Sequence, residues 1–268
     1  MANRPRIEVI GDSPPFLTLE YEVLAYESGN LVQRTVTVCQ EEPVRLIVNG
    51  HELATQMVSP ADLAEFACGY VISEGIIRHA NQIGAIRISL PELAVTVTGL
   101  NGEIPLQNRE LRTSGGLGMA VDASELRNKI TSTTLVSRDT IFSAMSCLND
   151  HAVLWKQTGG THCTVLFDAG GNVVAHAEDI GRHNSVDKVI GKAILAGIDL
   201  DRTFITCSGR MPAGMVSKFW RSGIPIVITN NAPSAAGIDL ARRVNLTLAG
   251  FVRPPRMVIY SGPERIRF

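Results

Sequence analysis

Apolar and polar positions alternate through much of the first hundred residues. RTVTVCQ (34–40) and VRLIVNGHELATQMV (44–58) predict strands. Asn49-Gly50, inside the second run, is a strong signal for a two-residue hairpin, because both residue types tolerate the positive φ that such a turn demands. AIRISL (85–90) and AVTVTG (94–99) predict a further pair of strands. Between the pairs the period changes to that of a helix. Ser59 suits an N-cap with Pro60 in the first turn, and Leu63, Phe66, Ala67, Tyr70 and Val71 then share one side. Cys68 and Gly69 within that helix are expected to be structural. Residues 1–20 are Pro-rich and polar and predict an irregular arm, so residues 1–107 are expected to form a small α+β domain.

NRELRTSGGLGMAVDAS (108–124) follows. Gly115, Gly116 and Gly118 argue against regular structure there, and the stretch is either a functional loop or a linker between domains. Helices are expected at 124–129 and at 138–148, the second capped by Ser137 with Ile141, Phe142, Met145 and Leu148 on one face. TGGTHCTVLFDAGGNVVAHAEDIGRHNSVDK (158–188) then predicts a strand, a turn at Gly170-Gly171, a second strand and a polar corner. The corner opens a helix over 184–196, with Val186, Val189, Ile190, Ala193 and Ile194 on one face, Asn184 as N-cap and Asp187 suiting the positive end of the dipole. One plan then repeats: RTFITC into Ser208-Gly209-Arg210 and a helix over 212–221, then IPIVIT into residues 230–234 and a helix to about 245. LTLAGFV and RMVIYS end the chain as strands. Strands alternating with helices predict a mostly parallel sheet, α/β in class, with a row of loops at its carboxyl edge, where such folds bind ligands. TGGTH with EDIGRHN, SGR and NAPSAAG are placed to converge there on one ligand.

Composition narrows the function classes. A formal net charge of −1 over 268 residues gives no general attraction to nucleic acid or to an anionic membrane, so neither partner is expected and any anion site must be local. No apolar run approaches ~18 residues, and MANRPRIEV lacks the apolar core of a secretory signal; a soluble, cytoplasmic protein is expected. The five cysteines are scattered without a C-x-x-C pair, against both a disulfide framework and a cysteine-rich zinc site. A helix start preceded by Gly181-Arg182-His183 can hold an anion on its outward N–H groups; the alternative is a capped, solvated helix end. Arg210, Arg253 and Arg256 suit phosphate forks, or are ordinary surface arginines. His176-Ala177-Glu178 matches half of the zinc deaminase signature, but the P-C-x-x-C half is missing, so no metal is expected.

TGGTH (158–162), EDIGRHNSVDK (178–188), SGRMPAGMVSK (208–218), NAPSAAGIDLA (231–241) and LTLAGFVR (246–253) closely resemble the formate dehydrogenase accessory sulfurtransferase family, FdhD. FACGYVISEGII (66–77) resembles it too, and the likeness covers nearly the whole chain. The resemblance implies a cytidine-deaminase-like three-layer α/β domain without zinc at 125–268, a homodimer, and sulfur transfer from a cysteine desulfurase to molybdenum bis(molybdopterin guanine dinucleotide) destined for formate dehydrogenase. It implies that the guanine nucleotide ends, mimicked by GDP or GMP, meet Gly159, Gly160, His162, Arg182, His183, Asn184, Ser208 and Arg210, with Phe251, Val252, Arg253, Pro254, Pro255 and Arg256 as further contacts. The family's sulfur carrier is a C-G-x-C-G loop after an arginine. Here that run is Arg112-Thr113-Ser114-Gly115-Gly116-Leu117-Gly118, so Ser114 and Leu117 replace the thiols. A serine hydroxyl cannot carry sulfane sulfur by thiol exchange. Three alternatives follow: a cofactor-binding factor that donates no sulfur, a carrier that uses Cys147, Cys163 or Cys207 instead, or a guanine-nucleotide binding protein with another client.

Overall fold

The computed structural model describes residues 5–11, 15–99, 110–113, 116–119 and 125–268. The chain opens with three strands, β1 (Arg6–Ile10), β2 (Thr18–Glu27) and β3 (Asn30–Cys39). An irregular arm is therefore not what forms at the start. β1 becomes a strand by pairing in parallel with a segment some eighty residues away, a contact invisible to local pattern. β2 and β3 make an antiparallel ribbon around Ser28-Gly29, both at positive φ. The next hairpin, β4 (Glu42–Val48) and β5 (His51–Val58), turns at Asn49-Gly50 as predicted, with φ of 48° and 81°.

Helix α1 (Leu63–Ser73) starts later than the Ser59-Pro60 signal predicts. Its N-cap position is Asp62, and Ser59 is engaged by the second half of the chain instead. β6 (Ile83–Ser89) and β7 (Ala94–Gly99) complete a sheet in the order β1-β6-β7-β4-β5. Val44, Leu46, Val48, Ile86 and Val95 of this sheet pack on Phe66, Ala67 and Val71 of α1 to form the first core.

The glycine-rich stretch holds two short paired strands, β8 (Glu110–Thr113) and β9 (Gly116–Met119), where no regular structure is expected from composition. Glycine weakens a strand but leaves its backbone free to pair. Ser114 and Gly115 lie outside the described residues. The helix expected at 124–129 is a single 3-10 turn, Glu125–Arg127. Glu125 there pairs with Arg221 at 3.0 Å.

β10 (Val136–Ser137), α2 (Arg138–His151) and α3 (Val153–Thr158) lead into β11 (His162–Asp168) and β12 (Val173–Asp179). Ser137 caps α2 as predicted, its Oγ accepting from Thr140 N at 3.0 Å. Then come α4 (Arg182–Ala196), β13 (Thr203–Cys207), α5 (Ala213–Arg221), β14 (Ile226–Thr229), α6 (Ala235–Arg243), β15 (Thr247–Arg253), β16 (Arg256–Ser261) and β17 (Ile266–Arg267). The second sheet runs β12-β11-β13-β14-β15-β16. Only β13, β14 and β15 are mutually parallel; the sheet is mixed because β11 with β12 and β15 with β16 are joined by short turns that force antiparallel pairing. Alternation along the strands divides the core in two. Leu166, Ile205, Val227 and Leu248 face α4, α5 and α6, while Val165, Phe167, Phe204 and Ile226 face α2. The second half is thus a three-layer α/β domain beside a smaller α+β domain. Among the described residues no helix is long and apolar enough to cross a membrane.

The two halves meet backbone to backbone. A Cβ on Gly69 of α1 would stand 1.8 Å from the Asp187 carbonyl oxygen of α4, and one on Gly191 would stand 1.9 Å from the Glu65 carbonyl oxygen. Beside this crossing, the Lys218 ammonium of α5 is fully buried between Glu74 Oε1 (2.5 Å) and Asp187 Oδ2 (2.9 Å), and reaches Ser73 Oγ at 3.1 Å. Its Nζ also lies 5.1 Å from the Tyr70 ring centroid. Burial alone would lower Lys218, but the Asp187 and Glu74 carboxylates hold its ammonium above the ordinary lysine range. Burial pushes the Asp187 carboxyl up to about 6 despite that partner. Asp187 is thus an ion-pair residue deep in the interface, not a dipole-facing surface group.

Two outcomes follow from this interface. Gly191→Ala gains about 1 kcal/mol of helix propensity but must push two backbones apart, so a net loss of about 1–3 kcal/mol is expected; an unchanged denaturant midpoint would show that the helices do not touch there. Lys218→Met leaves the buried Asp187 without its lysine, while Glu74 keeps Arg221 Nη1 at 4.0 Å, and is expected to cost about 3–5 kcal/mol. A chemical melt checks it, and a loss under 1 kcal/mol would count against the network.

Candidate functional site

β12, β13, β14 and β15 all finish at one end of the second sheet, and β11 starts there, since His162 pairs with Asp179. Thr158–Thr161, Ile180-Gly181, Ser208–Pro212, Asn230–Ser234 and the cis Pro254-Pro255 turn therefore gather along one edge.

Two neighbouring carboxylates shape the corner, each on its own side. Asp179 is fully buried. Its Oδ1 accepts from Gly181 N (2.8 Å) and Asn184 Nδ2 (3.0 Å), and its Oδ2 accepts from Ser59 N (3.1 Å) and pairs with Lys188 Nζ (2.6 Å). Ser59 Oγ accepts from Ile180 N (3.0 Å), and its carbonyl accepts from Lys188 Nζ (2.8 Å). Asn184 also donates to the Met57 carbonyl at 2.8 Å. Asn184 is therefore a tie to the first domain, in the first turn of α4, and not the N-cap. That position belongs to Gly181 and has no side-chain cap. Glu178 points the other way. Its carboxylate accepts from Leu154 N (2.7 Å), Trp155 N (2.8 Å) and Thr161 Oγ1 (2.9 Å), pinning the start of α3 and the TGGTH loop.

Cationic groups collect between these anchors. Ser208 Oγ accepts from Cys163 N (3.0 Å) and lies 3.3 Å from His162 Nδ1. Gly209 runs against the Arg182 side chain, with 3.0 Å between the position of an added Cβ and Arg182 Cβ. Burial and then Arg210 lower the Arg182 guanidinium. Burial and then Arg182 lower His162. A guanidinium whose charge is disfavoured by burial and by a neighbouring arginine is a setting that an anion relieves. The loops are also knitted together: Asn231 Nδ2 donates to the Ser208 carbonyl (2.8 Å), Thr229 Oγ1 to that of Gly209 (2.8 Å), and Phe251 N to that of Asn231 (3.1 Å).

The structure thus brings His162, Arg182, Ser208 and Arg210 together. His183 is buried in the first turn of α4, and Gly159 ends α3 in the left-handed region. Gly160 lies under Cys39, whose Sγ is 2.3 Å from the position of an added Cβ. Phe251 is half-exposed at a φ of +50°, and Arg253, Pro254, Pro255 and Arg256 are exposed at the β15 end, two strands and about 10 Å from β13. Val252 is buried in the core facing α2, which leaves only its backbone for any ligand. Thr229 and Cys39, and Ser59 as a tie between the two halves, are parts of this edge that local pattern does not single out, because each acts through a contact far along the chain. Among the thiols, Cys163 and Cys207 are buried in the second domain. Burial pushes Cys207 up to about 12 and Cys163 higher still, so neither is poised as a thiolate. Cys147 is half-buried on α2.

Residues 39–267 match the model of the FdhD/NarQ family. The chain is 37% identical over 229 residues to the sulfur carrier protein FdhD of Methanothermobacter thermautotrophicus, covering 85% of this chain and 91% of that one. It is 30% identical over 267 residues to the FdhD of Cupriavidus necator, with 96% and 93% covered. A crystal structure described as a formate dehydrogenase accessory protein from Desulfotalea psychrophila superposes with a TM-score of 0.79 at 27% identity, over 94% of this chain and all of that one. With a match that runs from the end of β3 to the last strand, the chain belongs to the FdhD/NarQ family.

Proposed function

We propose that this protein serves the maturation of formate dehydrogenase by holding the guanine nucleotide ends of molybdenum bis(molybdopterin guanine dinucleotide) along the carboxyl edge of the second sheet. The observation that carries this is the meeting of Arg182 and Arg210 beside Ser208 and His162, at the mouth of the fifteen-residue helix α4. Such a donor set fits a diphosphate. Guanidinium forks match phosphate oxygens in pairs, and a helix start adds backbone N–H groups and a positive dipole end. Arg253 and Arg256 extend the cationic edge toward β15, in keeping with a cargo that has two nucleotide ends.

The relatives are named sulfur carriers, and a cysteine desulfurase is the donor this role calls for. Ser114 and Leu117 cannot hold a persulfide, so the loop of residues 112–118 carries no sulfur in this chain. A second reading, a guanine-nucleotide binding protein without sulfur transfer, draws its support from those two residues. A homodimer in the cytoplasm fits the β2–β3 ribbon, which leaves Tyr21, Leu24, Tyr26 and Leu31 at least half exposed.

Isothermal titration with GDP is expected to give saturable binding, and Arg210→Ala to weaken it about tenfold or more, the worth of a charge-assisted hydrogen bond. Absence of heat at millimolar GDP, or equal affinity in the variant, would refute the cleft.

A further inference from the structure

Near the C-terminal end of α2, one turn apart, stand Cys147 and His151. His151 Nδ1 lies 3.4 Å from Cys147 Sγ and 3.0 Å from the Cys147 carbonyl oxygen. The His176 ring, on β12, meets the His151 ring edge-on with centroids 4.6 Å apart. His176 pairs in register with Val165, whose side chain faces α2, so both imidazoles and the thiol share that outer face of the sheet. The cluster lies at the cleft end of α2. The helix starts at the opposite end of the strands, where Thr140 meets the Gly171 turn, and runs toward the start of β11. There Cys163, close enough to Cys147 to feel its charge, hangs from Ser208 of the cleft.

We propose that Cys147, with His151 and His176, is a sulfur-accepting site: its thiol takes the terminal sulfur of a protein persulfide presented by a cysteine desulfurase. This deepens the maturation role proposed above and rests on it. The Cys147 sulfur attacks the outer sulfur of the donor's persulfide and a new S–S bond forms at Cys147. The donor's S–S bond breaks, and its electron pair leaves with the donor cysteine as a thiolate. The Cys147 proton is lost to water as its thiolate forms beside the His151 Nδ1–H, which the Cys147 carbonyl holds as a donor, and the leaving donor thiolate takes up a proton from water. One sulfane sulfur changes owner and no net oxidation occurs. Of the other cysteines, Cys68, Cys163 and Cys207 are buried in the two cores, and Cys39 is packed over Gly160. Burial and the Asp150 carboxylate hold the Cys147 thiol above its ordinary value. A neighbouring imidazole N–H that donates to the thiolate favours the charged form that reacts.

The full-length protein incubated with a cysteine desulfurase and L-cysteine, then alkylated, digested and analysed by mass spectrometry, is expected to carry one added sulfur, removable by reductant, on the peptide containing Cys147. Cys147→Ser should abolish that uptake, and His151→Gln should slow it several-fold with the thermal melt unchanged. Sulfur on Cys39 or another cysteine instead, no added sulfur at all, or equal rates in the His151→Gln protein would each overturn the proposal. GDP titration of the same samples separates the two levels. Nucleotide binding without sulfur uptake refutes this site alone, whereas loss of both removes the function on which it rests.

Discussion

Everything in this molecule rests on the contact between α1 and α4 at Gly69 and Gly191. The carbonyl oxygens of Asp187 and Glu65 occupy the space that side chains would need, so the helices approach as closely as two backbones can. No larger residue permits that distance. The close crossing seals off a space between α1, α4 and α5 in which Lys218, Asp187, Glu74 and Ser73 satisfy one another away from water. Buried ion pairs add little net stability over a well-packed apolar core, but they penalise misplacement heavily, because a shift of either helix would leave a charge uncompensated. The glycines set how near the domains come, and the charges set the register.

The candidate cleft inherits that register. Asp179 binds the mouth of α4 with one oxygen and the Ser59 backbone of the first domain with the other, while Lys188 ties the same two groups from below. Arg182, one residue past Gly181, is therefore aimed by a scaffold that spans both halves of the chain. Glu178 does the same for TGGTH from the opposite side of the strand. Alternation along β12 sends one carboxylate to each side, so that two adjacent residues order two different loops. Crowding cationic groups against a low-dielectric edge costs electrostatic energy, which the phosphorylated ligand proposed above would offset.

Sulfur chemistry places different demands on the fold. A thiolate carrier needs solvent access and a partner for its proton, conditions that the interior thiols fail to meet. At the site proposed on Cys147 the thiol is half-buried and His151 Nδ1 stands 3.4 Å from its sulfur, on the face of the sheet that α2 covers.

Short-range features of the chain were legible from the residues alone. Asn49-Gly50 turns its hairpin, Ser137 caps α2, and the alternating runs from β4 to β7 and from β11 to β16 are strands, because each depends on φ preferences or on one face being buried. EDIGRHNSVDK and its companion motifs pointed to the family through their particular residues. Only the folded chain decided what Ser59 and Asn184 do: both are good cap residues by type, yet Ser59 found Ile180 and Asp179, and Asn184 found Met57, in the other half of the molecule. The same holds for β1, which is a strand because β6 lies beside it, and for the mixed sheet, whose directions follow from which strands are hairpin-linked. Local sequence fixes torsional preference and amphipathic period over a few residues. Pairing partners, buried charges and the convergence of loops are set by contacts that span from tens of residues to more than a hundred, which close only when both cores pack.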